Sequence, residues 1–88
     1  MNNQTKVYTF TPMSEIKSFL EEYGNVVGKD EIALVQMIAD DLTREQMADR
    51  MGLQYKTLAA RINKLREDIG VKSDAKLALI FQKNGLID

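Results

Sequence analysis

Apolar residues recur at helical spacing along most of the chain, in blocks separated by short turns. The first stripe, at i, i+3, i+4 and i+7, predicts an amphipathic helix and consists of Ile16, Phe19, Leu20 and Tyr23. Thr11-Pro12 provides an N-cap and a first-turn proline for this helix, and Gly24 a C-terminal stop. Residues 6–10 are rich in strand formers, but without a partner strand we expect them to form an extended arm.

Two further stripes predict helices on either side of the central region. The helix over residues 29–40 has an apolar side formed by Leu34, Val35, Ile38 and Leu42. Its acidic start at Asp30-Glu31 suits the positive end of the helix dipole. The helix over residues 73–84 directs Leu77, Ile80 and Phe81 to the core. On the other side of this last helix lie Ala75, Leu79 and Gln82.

The central region has the pattern of two helices joined by a tight turn. Thr43 and Gln46 form a capping-box pattern that opens a short helix, whose buried side is Met47, Ala48 and Met51. Gly52 ends this helix, because glycine takes a left-handed conformation without strain. A longer helix begins near Gln54, with a regular apolar stripe at Leu58, Ile62, Leu65 and Ile69. This succession is typical of a helix-turn-helix.

The face of the longer helix that points away from its apolar stripe indicates a ligand. At about 100° per residue this face holds Lys56, Ala60, Asn63 and Glu67, flanked by Ala59 and Lys64. Small side chains let a helix lie deep in the DNA major groove, asparagine can bond adenine through two atoms, and lysine reaches guanine or phosphate. A plain helical bundle would typically carry long charged side chains throughout, so this face favours DNA binding.

Missing residue types limit the chemistry. The chain has no cysteine and no histidine, which excludes Ser–His and Cys–His nucleophile pairs, disulfides, and zinc sites with thiolate or imidazole ligands. We therefore expect no enzymatic activity, no metal and no cofactor. The longest apolar runs are too short to span a bilayer, and the polar N-terminus lacks the layout of a signal peptide. We expect a cytoplasmic protein with no membrane partner.

The net charge of −1 is unevenly distributed along the chain. Residues 1–42 carry three basic and seven acidic side chains, whereas residues 43–88 carry nine basic and six acidic ones. Such an asymmetry is typical of a small domain with an electrostatic footprint for nucleic acid on one side.

Residues from about 27 to 87 resemble the DNA-binding domain of the LuxR/NarL/GerE family of bacterial-type regulators. The matching segments are Leu34-Val-Gln-Met-Ile38-Ala39, Leu42-Thr43, Met47-Ala48, Met51-Gly52-Leu53, Thr57-Leu58, Ile69-Gly70-Val71 and Gly85-Leu86-Ile87. The resemblance implies an all-α fold, with a four-helix LuxR/GerE-like helix-turn-helix bundle over residues 27–88. Residues 1–26 would add the arm and one extra helix. The implied function is sequence-specific transcriptional regulation, with helix 54–69 in the major groove.

The resemblance also assigns roles to individual positions. It implies phosphate contacts for Thr43, Arg44, Lys64 and Lys72. Contacts at the start of the recognition helix are implied for Gln54, Tyr55 and Lys56, and base contacts for Ala59, Ala60 and Asn63. The last helix mediates dimerisation in many members. The resemblance thus implies a homodimer on double-stranded DNA, with an interface at Ala75, Leu79 and Gln82.

The chain differs from the family pattern at three positions. Ala59 stands where the family usually has lysine, Asp74 where arginine is common, and Asp41 where a glycine separates the first two helices. We expect Asp74 to repel a nearby phosphate and the changes to lower DNA affinity. Residues 1–26 are also shorter than the receiver or signal-binding domain of family members. We expect a stand-alone regulator, constitutive or controlled by a partner protein.

Two alternatives stay open. The first is a helical protein–protein interaction module that keeps the helix-turn-helix fold but has lost DNA binding. The acidic isoelectric point, Ala59 and Asp74 favour it. The second is a promoter reader similar to region four of sigma factors, which shares the helix-turn-helix but not the tail formed by Gly70-Val71 and Gly85-Leu86-Ile87.

Overall fold

The computed structural model describes the backbone of residues 13–88 and the side chains from residue 18 onward. In this range the chain forms five α-helices and no strand: α1 Met13–Tyr23, α2 Lys29–Ala39, α3 Arg44–Met51, α4 Tyr55–Ile69 and α5 Asp74–Lys83. The prediction of an all-α fold is confirmed. None of these helices is both long and apolar enough to cross a membrane. The arm predicted over residues 6–10 and the cap predicted at Thr11-Pro12 lie outside the described residues.

Side-chain caps fix where α3 and α5 begin. The Thr43 hydroxyl accepts a hydrogen bond from the Gln46 N–H at 3.1 Å, and the Gln46 side chain accepts one from the Thr43 N–H at 2.8 Å. The predicted capping box is therefore confirmed. The Ser73 hydroxyl accepts from the Lys76 N–H at 3.1 Å in the same way. Each cap satisfies a backbone donor that the first helical turn leaves unpaired, which stabilises a helix by about 1 kcal/mol.

Four helices end in the same way, with a residue in the left-handed conformation followed by an apolar residue that packs back onto the core. The left-handed residues are Asp41, Gly52, Gly70 and Gly85. The apolar residues after them are Leu42, Leu53, Val71 and Leu86. Each apolar residue donates its N–H to the carbonyl five residues earlier, as Leu53 does to Ala48 at 2.9 Å. These paired signals stop the helices at defined positions and direct the chain into the next one.

The helices enclose two groups of buried side chains. The first joins α1, α2, α4 and α5 and comprises Phe19, Val27, Val35, Leu65, Ile69, Leu77, Ala78, Phe81 and Ile87. The second joins α2, α3 and α4 and comprises Leu34, Met47, Ala48, Leu58 and Ile62. The predicted apolar stripe of α4 is confirmed. Its first half packs on α3 and its second half on α5, so α4 belongs to both groups.

Two predicted stripes differ from the structure. Leu20 is 37% exposed, because α1 meets the core through Phe19 and Tyr23 and leaves Leu20 on its outer edge. The prediction of a single apolar side for α2 is also wrong. Leu34 and Val35 are both fully buried but belong to different groups, since α2 lies between α3 on one side and α5 on the other.

Candidate nucleic-acid interface

The candidate interface is the outer face of α4 with the turns on either side of it. Met47 and Ala48 of α3 pack against Leu58 and Ile62 of α4, and none of these four side chains is more than 5% exposed. Between the two helices, Gly52 takes a φ of 67° and ends α3. Gln54 then acts as the N-cap residue of α4. Since this contact is buried, it fixes which side of α4 the solvent meets.

Most of the predicted contact residues on α4 are exposed together. The exposed ones are Gln54, Tyr55, Lys56, Ala60, Asn63 and Lys64, whereas Ala59 is half-buried at the edge of the face. Lys56, Ala60 and Asn63 follow one another at one-turn spacing, opposite the buried stripe. Tyr55, at the first position of the helix, leaves 49% of its surface exposed. Lys56, Ala60 and Asn63 therefore share one exposed face of α4, as predicted from the sequence, and Gln54 and Tyr55 are exposed at its N-terminal end.

Thr43 and Lys72 lie in the turns before α3 and after α4, and both are exposed. The Thr43 hydroxyl accepts a hydrogen bond in the capping box, so it can keep the cap while its own O–H donates to a ligand. The backbone carbonyl of Lys72 accepts a hydrogen bond from the Arg66 guanidinium, which ties the turn to α4. The Lys72 side chain makes no ion pair with the side chains of residues 18–88.

Arg44 is the predicted contact residue whose surroundings differ most from expectation. Its Nη2 atom lies 3.3 Å from both carboxylate oxygens of Asp74, at the start of α5. Arg66 Nη1 lies 3.4 Å from Asp74 Oδ1. The expectation that Asp74 simply repels phosphate needs correction, because two guanidinium groups flank its carboxylate and leave the cluster with a net charge of +1. Arg66 was missed from the sequence, since no local pattern connects α4 with residue 74.

Two other cations of α4 have acidic partners. Lys64 Nζ lies 3.1 Å from Asp68 Oδ2, and Arg61 Nη1 lies 3.8 Å from Asp30 Oδ2 at the start of α2. Ion pairs as exposed as these contribute at most about 1 kcal/mol, so a phosphate competes with them at little cost.

Lys29 of α2 and Lys76 of α5 have no ion pair among the described residues, and the same holds for three exposed cations near α4: Arg50, Lys56 and Lys72. They lie at the end of α3, at the start of α4 and just after α4. Arg50 was not singled out from the sequence, although its position in the last turn of α3 was a usable signal. Among the unpaired cations, these three lie in sequence at the ends of α3 and α4, next to the candidate interface.

The predicted dimer residues lie along a shallow groove between α2 and α5. Ala75, Leu79 and Gln82 line it together with Ile38, Ala39 and Ala78. Leu79 is 42% exposed, and the side chains around it are mostly small or apolar. The groove is thus a second candidate surface, separate from the α4 face.

The described residues offer binding surfaces and no metal cluster, since no three acidic side chains among them are grouped to hold an ion. On α1, a hydrogen bond to Glu22 raises the pKa of the Tyr23 phenol, with the negative charge of Glu22 and desolvation adding to the effect. Tyr23 therefore stays neutral at physiological pH and takes no part in the charge of the interface.

Comparison with known proteins gives no match: no protein-family model, no curated protein and no solved structure is similar to this chain. The resemblance to LuxR-type domains stays a prediction from the residue pattern. The function is therefore inferred from the surfaces described above.

Proposed function

We propose that this protein is a sequence-specific DNA-binding transcriptional regulator whose helix α4 enters the major groove. One observation carries the proposal: Lys56, Ala60 and Asn63 form an exposed face on a helix whose opposite side is buried against α3. This face combines one cation, one small residue and one amide, and it continues to Glu67 towards the C-terminal end of α4.

The chemistry of this face matches the edges of base pairs. The major groove is about 12 Å wide and admits an α-helix. Ala60 would let the backbone of α4 approach the base pairs, with its methyl group against thymine. Asn63 would bond adenine through its amide, and Lys56 would reach a guanine or a phosphate. Gln54 and Tyr55 stand at the N-terminal end of the helix, the part that contacts base edges in helix-turn-helix proteins.

The proposal includes a LuxR/GerE-like arrangement of α2 to α5, with α1 as an additional helix, in a cytoplasmic regulator. It also includes a homodimer formed through α5. Leu79 is an exposed leucine in a groove lined by small and apolar side chains together with Asp41 and Asp74, and a second copy would cover it. A two-fold dimer of this kind predicts an inverted-repeat binding site on double-stranded DNA.

The test is binding to random-sequence duplex DNA, followed by fluorescence anisotropy at several salt concentrations. If the protein makes about four to six phosphate contacts, the log–log dependence of affinity on salt should have a slope of about −4 to −5. Salt-sensitive binding would justify selecting an operator from a pool of sequences. A complete lack of binding at low salt would reject the proposal.

The ion pairs favour a second function, a protein–protein interaction module with the same fold. Arg44, Arg61 and Arg66 are all paired with carboxylates of this chain, so fewer positive charges are free for phosphate than the sequence suggests. Such a module would show no salt-sensitive binding to duplex DNA. Its partner would be a protein that covers the α4 face or the α2–α5 groove.

A further inference from the structure

Three helices meet at one carboxylate. Asp74, the first residue of α5, lies between Arg44, the first residue of α3, and Arg66 of α4. The side chains are only partly covered, with 24% of Arg44, 26% of Arg66 and 31% of Asp74 exposed. We call these three residues the Arg44–Asp74–Arg66 cluster. A ligand can therefore reach it from solvent.

The carboxylate of Asp74 does not use the full binding capacity of the two arginines. Each guanidinium has five N–H donors, whereas the acceptors that they share are the two oxygens of Asp74 and, for Arg66, the backbone carbonyl of Lys72. The contacts of 3.3 and 3.4 Å are longer than the roughly 2.7–2.9 Å of strong charge-assisted hydrogen bonds. In addition, the Nε atom of Arg66 is buried and has no hydrogen-bond partner within the described residues. The cluster thus keeps a net positive charge and spare donors.

We infer that Arg44 and Arg66 form a phosphate-binding site that the Asp74 carboxylate occupies in the free protein. A phosphate group has more acceptor oxygens than a carboxylate and binds guanidinium groups in the same two-pronged geometry. The Asp74 carboxylate acts as an internal competitor that a phosphate must displace. The inference rests on the proposed function, in that the phosphate would come from the DNA backbone next to Thr43.

This arrangement gives Asp74 a role in selectivity. A phosphate that reaches the cluster by itself has to displace a carboxylate held in place by the fold. A phosphate of DNA that α4 already holds in register is presented at high effective concentration and displaces it more readily. Asp74 therefore weakens indiscriminate binding of anions more than binding of a correctly placed duplex.

The first experiment uses inorganic phosphate and the full chain. Phosphate is titrated at constant ionic strength while the Nε–H signals of Arg44 and Arg66 are followed by NMR. We expect saturable shifts of both signals in Asp74→Asn. The phosphate concentration needed should be at least about tenfold lower than in the wild type, because removing one competing charge-assisted contact is worth about a factor of ten in phosphate affinity. The matched control is Glu21→Gln, which removes the same charge from an exposed side chain of α1. Equal responses in the two variants, or no response in Asp74→Asn, would overturn the inference.

The second experiment uses random-sequence duplex DNA. Asp74→Asn should bind about fivefold more tightly than the wild type near 0.1 M salt, with a salt slope steeper by about 0.9 for one additional phosphate contact. The gain should disappear when Arg44→Ala is added, and Glu21→Gln should not reproduce it. Phosphate binding without DNA binding by any variant would reject the proposed function and retain the site. DNA binding that Asp74→Asn leaves unchanged would reject the site alone.

The folding of Asp74→Asn is checked by thermal unfolding, because its two arginines lose their shared partner. If this variant does not fold, the wild type is titrated to high phosphate and the side-chain carboxyl carbon of Asp74 is followed by NMR. We expect its signal to move as phosphate displaces it, and to stay fixed in Arg44→Ala. A wild-type signal that does not respond would contradict the inference.

Discussion

Phe19 of α1 and Phe81 of α5 pack edge to face, with ring centroids 5.6 Å apart and ring planes at 74°. Phe81 is fully buried and Phe19 is 7% exposed. Phe19 also contacts Tyr23 of its own helix, at a centroid distance of 5.0 Å. Phe19, with Tyr23 packed beside it, places α1 in the same core group as α2, α4 and α5.

Phe19→Ala should lower the free energy of unfolding by about 3–4 kcal/mol, because it removes a buried aromatic ring and leaves a cavity beside Phe81. Denaturant unfolding measures the loss. Leu20→Ala is the matched control on the same helix, and with 37% of Leu20 exposed it should cost less than about 1 kcal/mol. Equal losses for the two variants would contradict the described packing of α1.

Asp41→Gly should stabilise the protein by about 1 kcal/mol. Asp41 has a φ of 64°, a left-handed conformation that glycine adopts without strain. The neighbouring Asp40 has a φ of −87° and accepts a hydrogen bond from Gln36, so Asp40→Gly should destabilise by about 0.5–1 kcal/mol. Thermal unfolding of both variants provides the comparison. A loss of stability in Asp41→Gly would show that its side chain outweighs the backbone strain.

Leu79→Glu should convert the proposed dimer to a monomer, because a charge would be buried in the interface. The single chain should stay folded, since 42% of Leu79 is exposed in it. Sedimentation velocity at several concentrations measures the oligomeric state. Leu20→Glu, at a leucine of similar exposure on α1, should leave the dimer intact. A wild type that stays monomeric at all concentrations would reject the α5 dimer.

The parts of the fold that nearby residues decide could be predicted from the sequence. The capping box needs only Thr43 and Gln46, three positions apart, and both of its hydrogen bonds are present. Gly52 likewise ends α3 through its own backbone conformation. These signals define where α3 begins and ends and where α4 follows. Together with the apolar stripe of α4, they made the exposed side of α4 predictable as well.

The parts that depend on distant residues could not be predicted in this way. Arg44 and Asp74 are thirty positions apart, and only the packing of α3 against the start of α5 shows that they meet. Helical periodicity placed Leu34 and Val35 on one apolar side of α2, whereas in the structure the two residues belong to different core groups. Helical periodicity also does not show that Phe19 of α1 is buried in the core and that Leu20 is exposed. Charge counts along the chain therefore overstated how many cations are free for DNA.

The central claim, that the outer face of α4 binds DNA, is tested most directly with the double variant Lys56→Ala/Asn63→Ala. Its binding to random-sequence duplex at low salt is compared by fluorescence anisotropy with that of the wild type. The control is Asn25→Ala/Lys29→Ala, which removes the same two residue types from exposed positions in the turn before α2 and at its start. We expect the α4 variant to bind at least about fivefold more weakly, with a salt slope reduced by about 1, and the control to bind like the wild type. Equal losses in both variants, or no salt-sensitive binding by the wild type, would contradict the account.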